Sequence, residues 1–472
     1  MTDVLARLRD LQAADLPVHG GRTLAYVYDS GLPHVDAIAR EAVAAYAGSN
    51  GLDPTAFPSL LTMENELVGF ASRLLDGPDT VVGTATSGGT ESVLLAVQTA
   101  RDAHPEITSP SIVVPSTIHA AFFKAAHYFG VRAIVVPVRD DFRADAEAMI
   151  AAIDDTTVLV AASAPSYAHG VVDPIEELAA AVSTRGIRLH VDACIGGWVL
   201  PYAARLGRKV PHWTFAVDGV TSISVDLHKY GYAPKGISLL LHRTPALRRP
   251  QYFAHAGWPG YTMLNSTMQS TKSGGPLAAA WAVVQTVGDR GYESLACDVF
   301  GAVDRIIAGV ASIEELTVVA DPDSTLIALA CDDTCDPFTI CDEMAAAGWF
   351  VQPQMAFDGS PATIHLSVSA ATLAHVEEFL AALQAAVAAA VAAGPVRVEP
   401  DIVAFIEALD PTALSDTDFD GLLAVAGLVG GGDGLALPER MAEVNALLDV
   451  AAPPMREALL VAFLDRLQRP AR

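Results

Sequence analysis

Between residues 81 and 243, short apolar runs rich in β-branched residues alternate with Ala-rich amphipathic segments. The runs are VVGTA (81–85), SIVVP (111–115), RAIVVPV (132–138), TVLVAA (157–162), RLHVDA (188–193), TSISVDL (221–227) and ISLLLH (237–242). Each is strand-length and bounded by turn-forming or polar residues, whereas segments 91–103, 120–129 and 174–184 have helical length and pattern. Strand, helix, strand at this spacing predicts right-handed crossovers and a mostly parallel sheet covered on both faces. In such sheets functional residues gather just past the carboxyl ends of the strands.

The rest of the chain divides around this unit. Residues 1–75 read as an N-terminal arm and helices, with a Pro-bounded segment at 53–58. The large domain takes 76–260. A linking helix from 274 to about 313 and a smaller α/β unit, with runs at 316–320, 325–330, 349–354 and 363–369, occupy 261–390. Residues 391–472 form a helical extension carrying a glycine loop, GLVGGGDG, at 427–434. The fold class is therefore α/β, a large-domain sheet followed by a smaller C-terminal domain.

Composition narrows the function. A chain of 472 residues exceeds one compact core, and 51% apolar with 18% charged residues suits a packed soluble enzyme. The 29 basic and 55 acidic residues, net −26, oppose nucleic acid and anionic membrane surfaces. Glu377, Glu378 and Gln384 interrupt the Ala-rich stretch around Phe379, so no membrane insertion is expected. The start, MTDVLARLRD, has no secretory apolar core, and a cytoplasmic location is expected. Cys194, Cys297, Cys331, Cys335 and Cys341 show neither a CxxC pair nor a histidine at ligand spacing. They read as thiols, not as a disulfide framework or a metal site.

Three junctions carry candidate chemistry. GTATSGGTESVLLAV (83–97) places Ser87, Gly88, Gly89 and Thr90 between a strand and a helix start. Backbone N–H groups there can cradle a phosphate, although small residues also cap helices. HVDAC (190–194) ends an apolar run on Asp192, a helix cap, a structural acid or a partner for a cation. STIHAAFFKAAHYF (116–129) sets His119 at another strand-to-helix junction. SVDLHKYGYAPKG (224–236) adds His228 and Lys229 side by side, with Lys235 beyond. Together these residues match the needs of pyridoxal 5′-phosphate: a cradle for its phosphate, an anion for its ring nitrogen, and a lysine amine for its aldehyde.

The motifs TSGGTES (86–92), IHAAFFKAAHYFG (118–130), APSYAHGVVDPI (164–175), HVDACIGGW (190–198) and SVDLHKYGYAPKG are similar to those of the group II decarboxylase-like pyridoxal-phosphate enzymes. Within that group the chain resembles the sphingosine-1-phosphate lyases, from about residue 26 to about 382. The resemblance implies a fold type I homodimer with active sites at the subunit interface. It implies that Lys229 carries the cofactor, Asp192 pairs with the ring nitrogen and His119 stacks on the ring. Gly89, Thr90 and His228 would contact the cofactor phosphate. The implied reaction is retro-aldol cleavage of a phosphorylated 2-amino-3-hydroxy substrate to an aldehyde and phosphoethanolamine. Displaced Lys229 or Tyr28 would act as base, and Lys235 would receive the substrate phosphate.

Two motifs depart from that family near the expected polar head of the substrate. SNGLDPTAFPS (49–59) keeps Asn50 but has Asp53 where the lyases carry histidine, and Lys272 stands where they carry arginine. A carboxylate would repel a dianion, and a lysine lacks the bidentate fork. An amino-acid decarboxylase, using the same electron sink on a small-molecule amino substrate, is the alternative. A noncatalytic phosphate-ligand binder is the third reading.

Overall fold

The computed structural model describes residues 2–425 and 439–469, so the glycine loop at 427–434 lies outside the described residues. Seven strands form the large sheet: β1 (Val82–Thr86), β2 (Ser111–Pro115), β3 (Arg132–Val136), β4 (Thr157–Ser163), β5 (Arg188–Asp192), β6 (Val220–Asp226) and β7 (Ser238–His242). Their order is β1-β7-β6-β5-β4-β2-β3. Strands β2 to β6 pair in parallel, while β7 runs antiparallel to both β6 and β1. All of β1 to β6 therefore point the same way. The mostly parallel sheet is as expected, with one reversed strand that periodicity does not foretell. Only the segment 227–237 joins β6 to β7, too little chain for a helical crossover, so it turns back.

Helices Gly89–Asp102, Ala121–Phe129, Ala146–Ala151, Ile175–Ser183 and Leu200–Arg205 make the crossovers. With both sheet faces covered, β7 carries a continuous apolar run, and its Leu239, Leu240 and Leu241 are all fully buried. A short hairpin, β8 (Phe253–His255) with β9 (Met263–Asn265), follows. The sequence does not announce it because Phe253 and Leu264 are exposed and define no core face.

Helix Gly274–Val310 then crosses to a second sheet and breaks at Gly288, where φ is +61°, a conformation that glycine adopts readily. The second sheet is antiparallel, with strands β10 (Leu316–Val318), β11 (Leu326–Cys331), β12 (Gln352–Gln354) and β13 (Thr363–Ser367) in the order β10-β11-β13-β12. The stretch Ala370–Ala393 is long and apolar enough to cross a membrane by length and composition. Here its helix, Val376–Ala393, buries Phe379, Leu383, Val387 and Ala390 in the core.

The N-terminal arm lies along this second sheet. Thr23 bridges to Phe350 in parallel, and the Ser367 N–H donates to the Leu24 carbonyl at 2.6 Å. Residues 25–30 are thereby led to the loop after β6. Helices Pro400–Ala408, Asp416–Val425, Ala442–Val450 and Pro453–Leu467 share their own core around Ile406, Phe419, Leu422, Met455 and Leu459. They are tied to the small domain by Asp342, which accepts the N–H groups of Met441 and Ala442, each at 2.9 Å.

Candidate active site

Because β1 to β6 share one direction, the loops after β1, β2, β4, β5 and β6 emerge on one edge of the sheet. Register aligns the polar residues at that edge. Ser238 pairs with Thr86 on one side and Asp226 on the other, and Asp192 pairs with Ser224.

After β1 the chain turns through Ser87 and Gly88 into helix Gly89–Asp102. The Ser87 N–H donates to Glu91 at 2.6 Å, and Glu91, itself buried, also accepts the Met268 N–H at 2.9 Å. The turn is pressed against the other loops. A Cβ on Gly89 would lie 2.7 Å from Cys194 Sγ and 2.9 Å from Asp226 Oδ1, so no side chain fits. A Cβ on Gly88 would lie 3.5 Å from His228 Cε1. The first N–H groups of the helix thus lie beside an imidazole, a setting suited to an anion. Thr90 is exposed at the same helix start.

Asp226 ends β6 and organises the next loop. Its side chain is only 2% exposed; Oδ2 lies 3.0 Å from Lys229 Nζ and 3.5 Å from His228 Nε2. Its Oδ1 accepts the Ser238 hydroxyl. Burial works to lower the Lys229 pKa and to raise that of Asp226, but their attraction prevails. Lys229 ends well above the usual range, and Asp226, helped by His228 and Ser238, ends below its own. His228 Nδ1 accepts the Ile237 N–H at 3.3 Å, which leaves the ring proton on Nε2, facing Asp226. Burial keeps this imidazole below its ordinary pKa against the pull of Asp226.

On the neighbouring strand, Asp192 Oδ1 accepts the Cys194 N–H at 3.1 Å and the Ser224 hydroxyl at 3.2 Å. Ser224 in turn lies 3.2 Å from His190 Nε2, and His190 Nδ1 lies 2.9 Å from Ser222 Oγ. With the Ser224 proton committed to Asp192, His190 donates from Nε2 and accepts at Nδ1. Burial, opposed by Asp192, lowers its pKa to about 4, so the ring is neutral. This chain of bonds fixes one oxygen of Asp192 and leaves Oδ2 outside it.

Tyr28 comes in on the arm and packs edge-on against Tyr230, with ring centroids 5.0 Å apart. The Tyr230 hydroxyl donates to the Val368 carbonyl at 2.7 Å, which anchors the pair to the small domain. Burial, and secondarily Asp226, outweigh Lys229 and raise the Tyr28 pKa, so its proton stays on. Lys235 Nζ lies 4.8 Å from the Tyr28 ring centroid and donates to the His228 carbonyl at 3.2 Å. The residue as a whole is exposed, yet its ammonium is crowded. Desolvation first and Lys229 second lower its pKa to about 8.

The remaining sequence candidates make no described hydrogen bond or ion pair with Lys229. His119 is exposed beyond β2, its Nδ1 accepting the Ala121 N–H at 3.1 Å. Asn50 caps Leu52 at 3.1 Å, and exposed Asp53 closes on Thr55, whose N–H and hydroxyl lower its pKa. Lys272 is 3.0 Å from both Glu64 Oε2 and the Ala85 carbonyl. Gly51, Leu52, Pro54, Glu64 and Lys272 line a cavity of about 390 Å³ that Lys229 does not enter. Sequence reading missed Asp226, Glu91, Tyr230, Ser224 and Glu64. Asp226 alone left a trace, as the acid that stops an apolar run three residues before Lys229.

An amine beside a tight glycine turn, with a half-satisfied carboxylate one strand away, fits an aldehyde cofactor that also carries a phosphate and a ring nitrogen. On this doubly covered sheet the combination defines a pyridoxal-phosphate enzyme of fold type I. The chain belongs to the pyridoxal-dependent decarboxylase family, whose conserved-domain profile matches residues 24–331. A second profile, the C-terminal HTH domain of pyridoxal-dependent enzymes, matches 400–466. That segment carries 12 acidic and 3 basic residues, a charge opposite to what a phosphate backbone attracts.

Among similar proteins, a sphingosine-1-phosphate lyase of Arabidopsis thaliana is 38% identical over 74% of this chain and 64% of its own length. The chain therefore spans a little under two thirds of that relative. A protein of Methanothermobacter thermautotrophicus named as an L-tyrosine/L-aspartate decarboxylase is 31% identical over 70% of this chain and 88% of its own. The solved sphingosine-1-phosphate lyase of Burkholderia pseudomallei superposes with a TM-score of 0.78 at 33% identity, covering 83% of this chain and 91% of that one.

Proposed function

We propose that the protein is a carbon–carbon lyase cleaving a phosphorylated 2-amino-3-hydroxy substrate to an aldehyde and phosphoethanolamine. The observation that carries this reading is the contrast between two lysines on one loop. Lys229 is paired with a buried carboxylate, whereas Lys235 has no carboxylate partner among the described residues and faces outward over Tyr28. One amine is built for a covalent partner and the other is available to a mobile anion. The named activities of the Arabidopsis and Burkholderia relatives support the same reading.

Pyridoxal phosphate, when bound, supplies the sink for the electrons of the broken bond. Lys229 would provide the amine that holds it and could take the C3 hydroxyl proton. Asp192 would keep the ring nitrogen protonated. His228 and the N–H groups at 88–90 would hold the cofactor phosphate, and His119 would cover the ring. Tyr28, whose pKa burial raises, would donate to the substrate oxygen or, in place of Lys229, take its proton. Lys235 receives the substrate phosphate. A homodimer in which the cleft lined by Gly51, Leu52, Glu64 and Lys272, with Asn50 and Asp53 on the adjoining segment, belongs to the partner's site would account for its separation from Lys229. Five free thiols accord with a reducing cytoplasm.

Amino-acid decarboxylation is the second reading, favoured by the Lys272–Glu64 pair, which neutralises a cation expected at the phosphate end. Purified protein with cofactor added should be offered sphingosine 1-phosphate and a panel of L-amino acids, following aldehyde and carbon dioxide separately. Aldehyde with phosphoethanolamine is the expected result; carbon dioxide without aldehyde would replace it with the second reading.

A further inference from the structure

Asp226 has no role in the scheme above, yet it makes the closest charged contact of the cofactor lysine. The carboxylate is walled in by three elements. Its own strand ends there, Ser238 of β7 donates to Oδ1, and the Gly89 turn comes so near that a Cβ would stand 2.9 and 3.0 Å from its two oxygens. Lys229 Nζ is 3.0 Å from Oδ2. The other titratable groups around Lys229 are Tyr28 on the arm, Tyr167 after β4, Asp192 and Cys194 at the end of β5, and His228 and Lys235 on its own loop. Among these, the described ion pairs of Lys229 involve Asp226 alone. Asp192 makes no described ion pair with Lys229, its Oδ1 being held by Ser224 and the Cys194 N–H, and the tyrosines and cysteine are neutral, their pKa values raised.

We infer that Asp226 is a positioning residue that holds Lys229 as an ammonium in the cofactor-free chain and thereby sets the pH at which the cofactor is captured. Capture needs the lone pair of the amine. The Lys229 ammonium gives up a proton, its nitrogen attacks the aldehyde carbon, and the carbonyl electrons move to oxygen. That oxygen takes back the released proton and a second one from the nitrogen and leaves as water, and the C=N nitrogen keeps the third hydrogen and the positive charge, so atoms and charge balance with no further reactant. A carboxylate at ion-pair distance opposes the first of these steps until the aldehyde is in place. The apoprotein is thus protected from stray aldehydes, and capture becomes steep in pH. This inference rests on the assignment of Lys229 as the cofactor lysine.

The experiment uses full-length apoprotein mixed with pyridoxal 5′-phosphate, following the visible band across roughly pH 6 to 10, the span over which amines titrate. Asp226→Asn should capture cofactor about tenfold faster at neutral pH, the change expected for each unit by which the amine pKa falls. Its rate profile should shift to lower pH, while Asp226→Glu should keep the slow profile. Coincident profiles for wild type and Asp226→Asn would overturn the inference, as would slower capture by Asp226→Asn. If no protein, wild type included, develops a band that depends on Lys229, the cofactor-lysine assignment itself falls.

A second measurement needs no variant. Lysines of the wild-type apoprotein are dimethylated with isotope-labelled methyl groups and titrated by NMR. The Lys235 signal should move near its pKa of about 8 while that of Lys229 stays fixed. A Lys229 signal titrating at or below that of Lys235 would overturn the inference even if Asp226→Asn failed to fold.

Discussion

The Lys235 ammonium stands 4.8 Å from the centre of the Tyr28 ring, so a cation of the β6–β7 loop rests on an aromatic residue delivered by the N-terminal arm. Cation–π attraction holds the ammonium in place without neutralising it. A lysine so placed keeps its charge below its pKa of about 8 and loses it above. If Lys235 receives a substrate phosphate as proposed, that binding should be complete at lower pH and fade as pH rises through that value. KM for a phosphorylated substrate should climb above about pH 8, and Lys235→Ala should raise KM about tenfold to a hundredfold and remove that inflection. Steady-state kinetics against pH checks both.

Replacing Lys229, the proposed cofactor lysine, should separate chemistry from folding. Lys229→Ala is expected to abolish the visible band while leaving the circular dichroism spectrum close to that of the wild type. It also strands Asp226 as a buried carboxylate without its cation. A loss of about 3–5 kcal/mol in urea denaturation is expected for such an unpaired charge. A visible band retained by this variant would remove Lys229 from its assigned role.

The bonds behind Asp192 make a subtler claim. Ser224→Ala removes the hydroxyl that joins Asp192 to His190. Cofactor should still bind, stability should fall by about 1 kcal/mol, and turnover should drop several-fold. Asp192→Ala should hold cofactor weakly and lose most turnover. Equal turnover in wild type and Ser224→Ala, read at saturating cofactor, would mean that Asp192 needs no such support.

Gly89→Ala probes the closeness of the loops. The added methyl would meet Cys194 Sγ at 2.7 Å and the Asp226 oxygens at 2.9 and 3.0 Å. Relief requires moving the turn away from β6, at a cost of about 1–3 kcal/mol. Thermal denaturation should register that cost, and cofactor affinity, titrated by absorbance, should weaken at least tenfold.

Much of this site can be read from the chain because each part sits at a strand end and has a residue type tied to its chemistry. Lys229 follows an apolar strand, Asp192 ends one, and Gly88 and Gly89 open a helix. The parts that escape are those whose partners are remote. Glu64 and Lys272 pair across 208 positions, and no local pattern links them. Ser224 is an ordinary small residue in a buried strand until register sets it opposite Asp192. The reversal of β7 escapes for another reason: a strand buried on both faces has the same composition whichever way it runs.

The same blindness applies to Asp226. An acid closing an apolar run reads as punctuation, since turns favour Asp. Its distinction lies in having Gly89, Ser238, His228 and Lys229 around it, from three separate elements.

The acidic C-terminal helices have a consequence that reaches beyond their own surface. Joined to a chain of net charge −26, they surround the molecule with a field that repels anions. The phosphorylated substrate proposed above would have to cross that field before Lys235 could draw it in. At ordinary ionic strength the repulsion dies away within about 10 Å, so the approach is left mostly to diffusion. In dilute buffer the encounter slows, and capture by the last few ångströms of positive loop decides which anions stay.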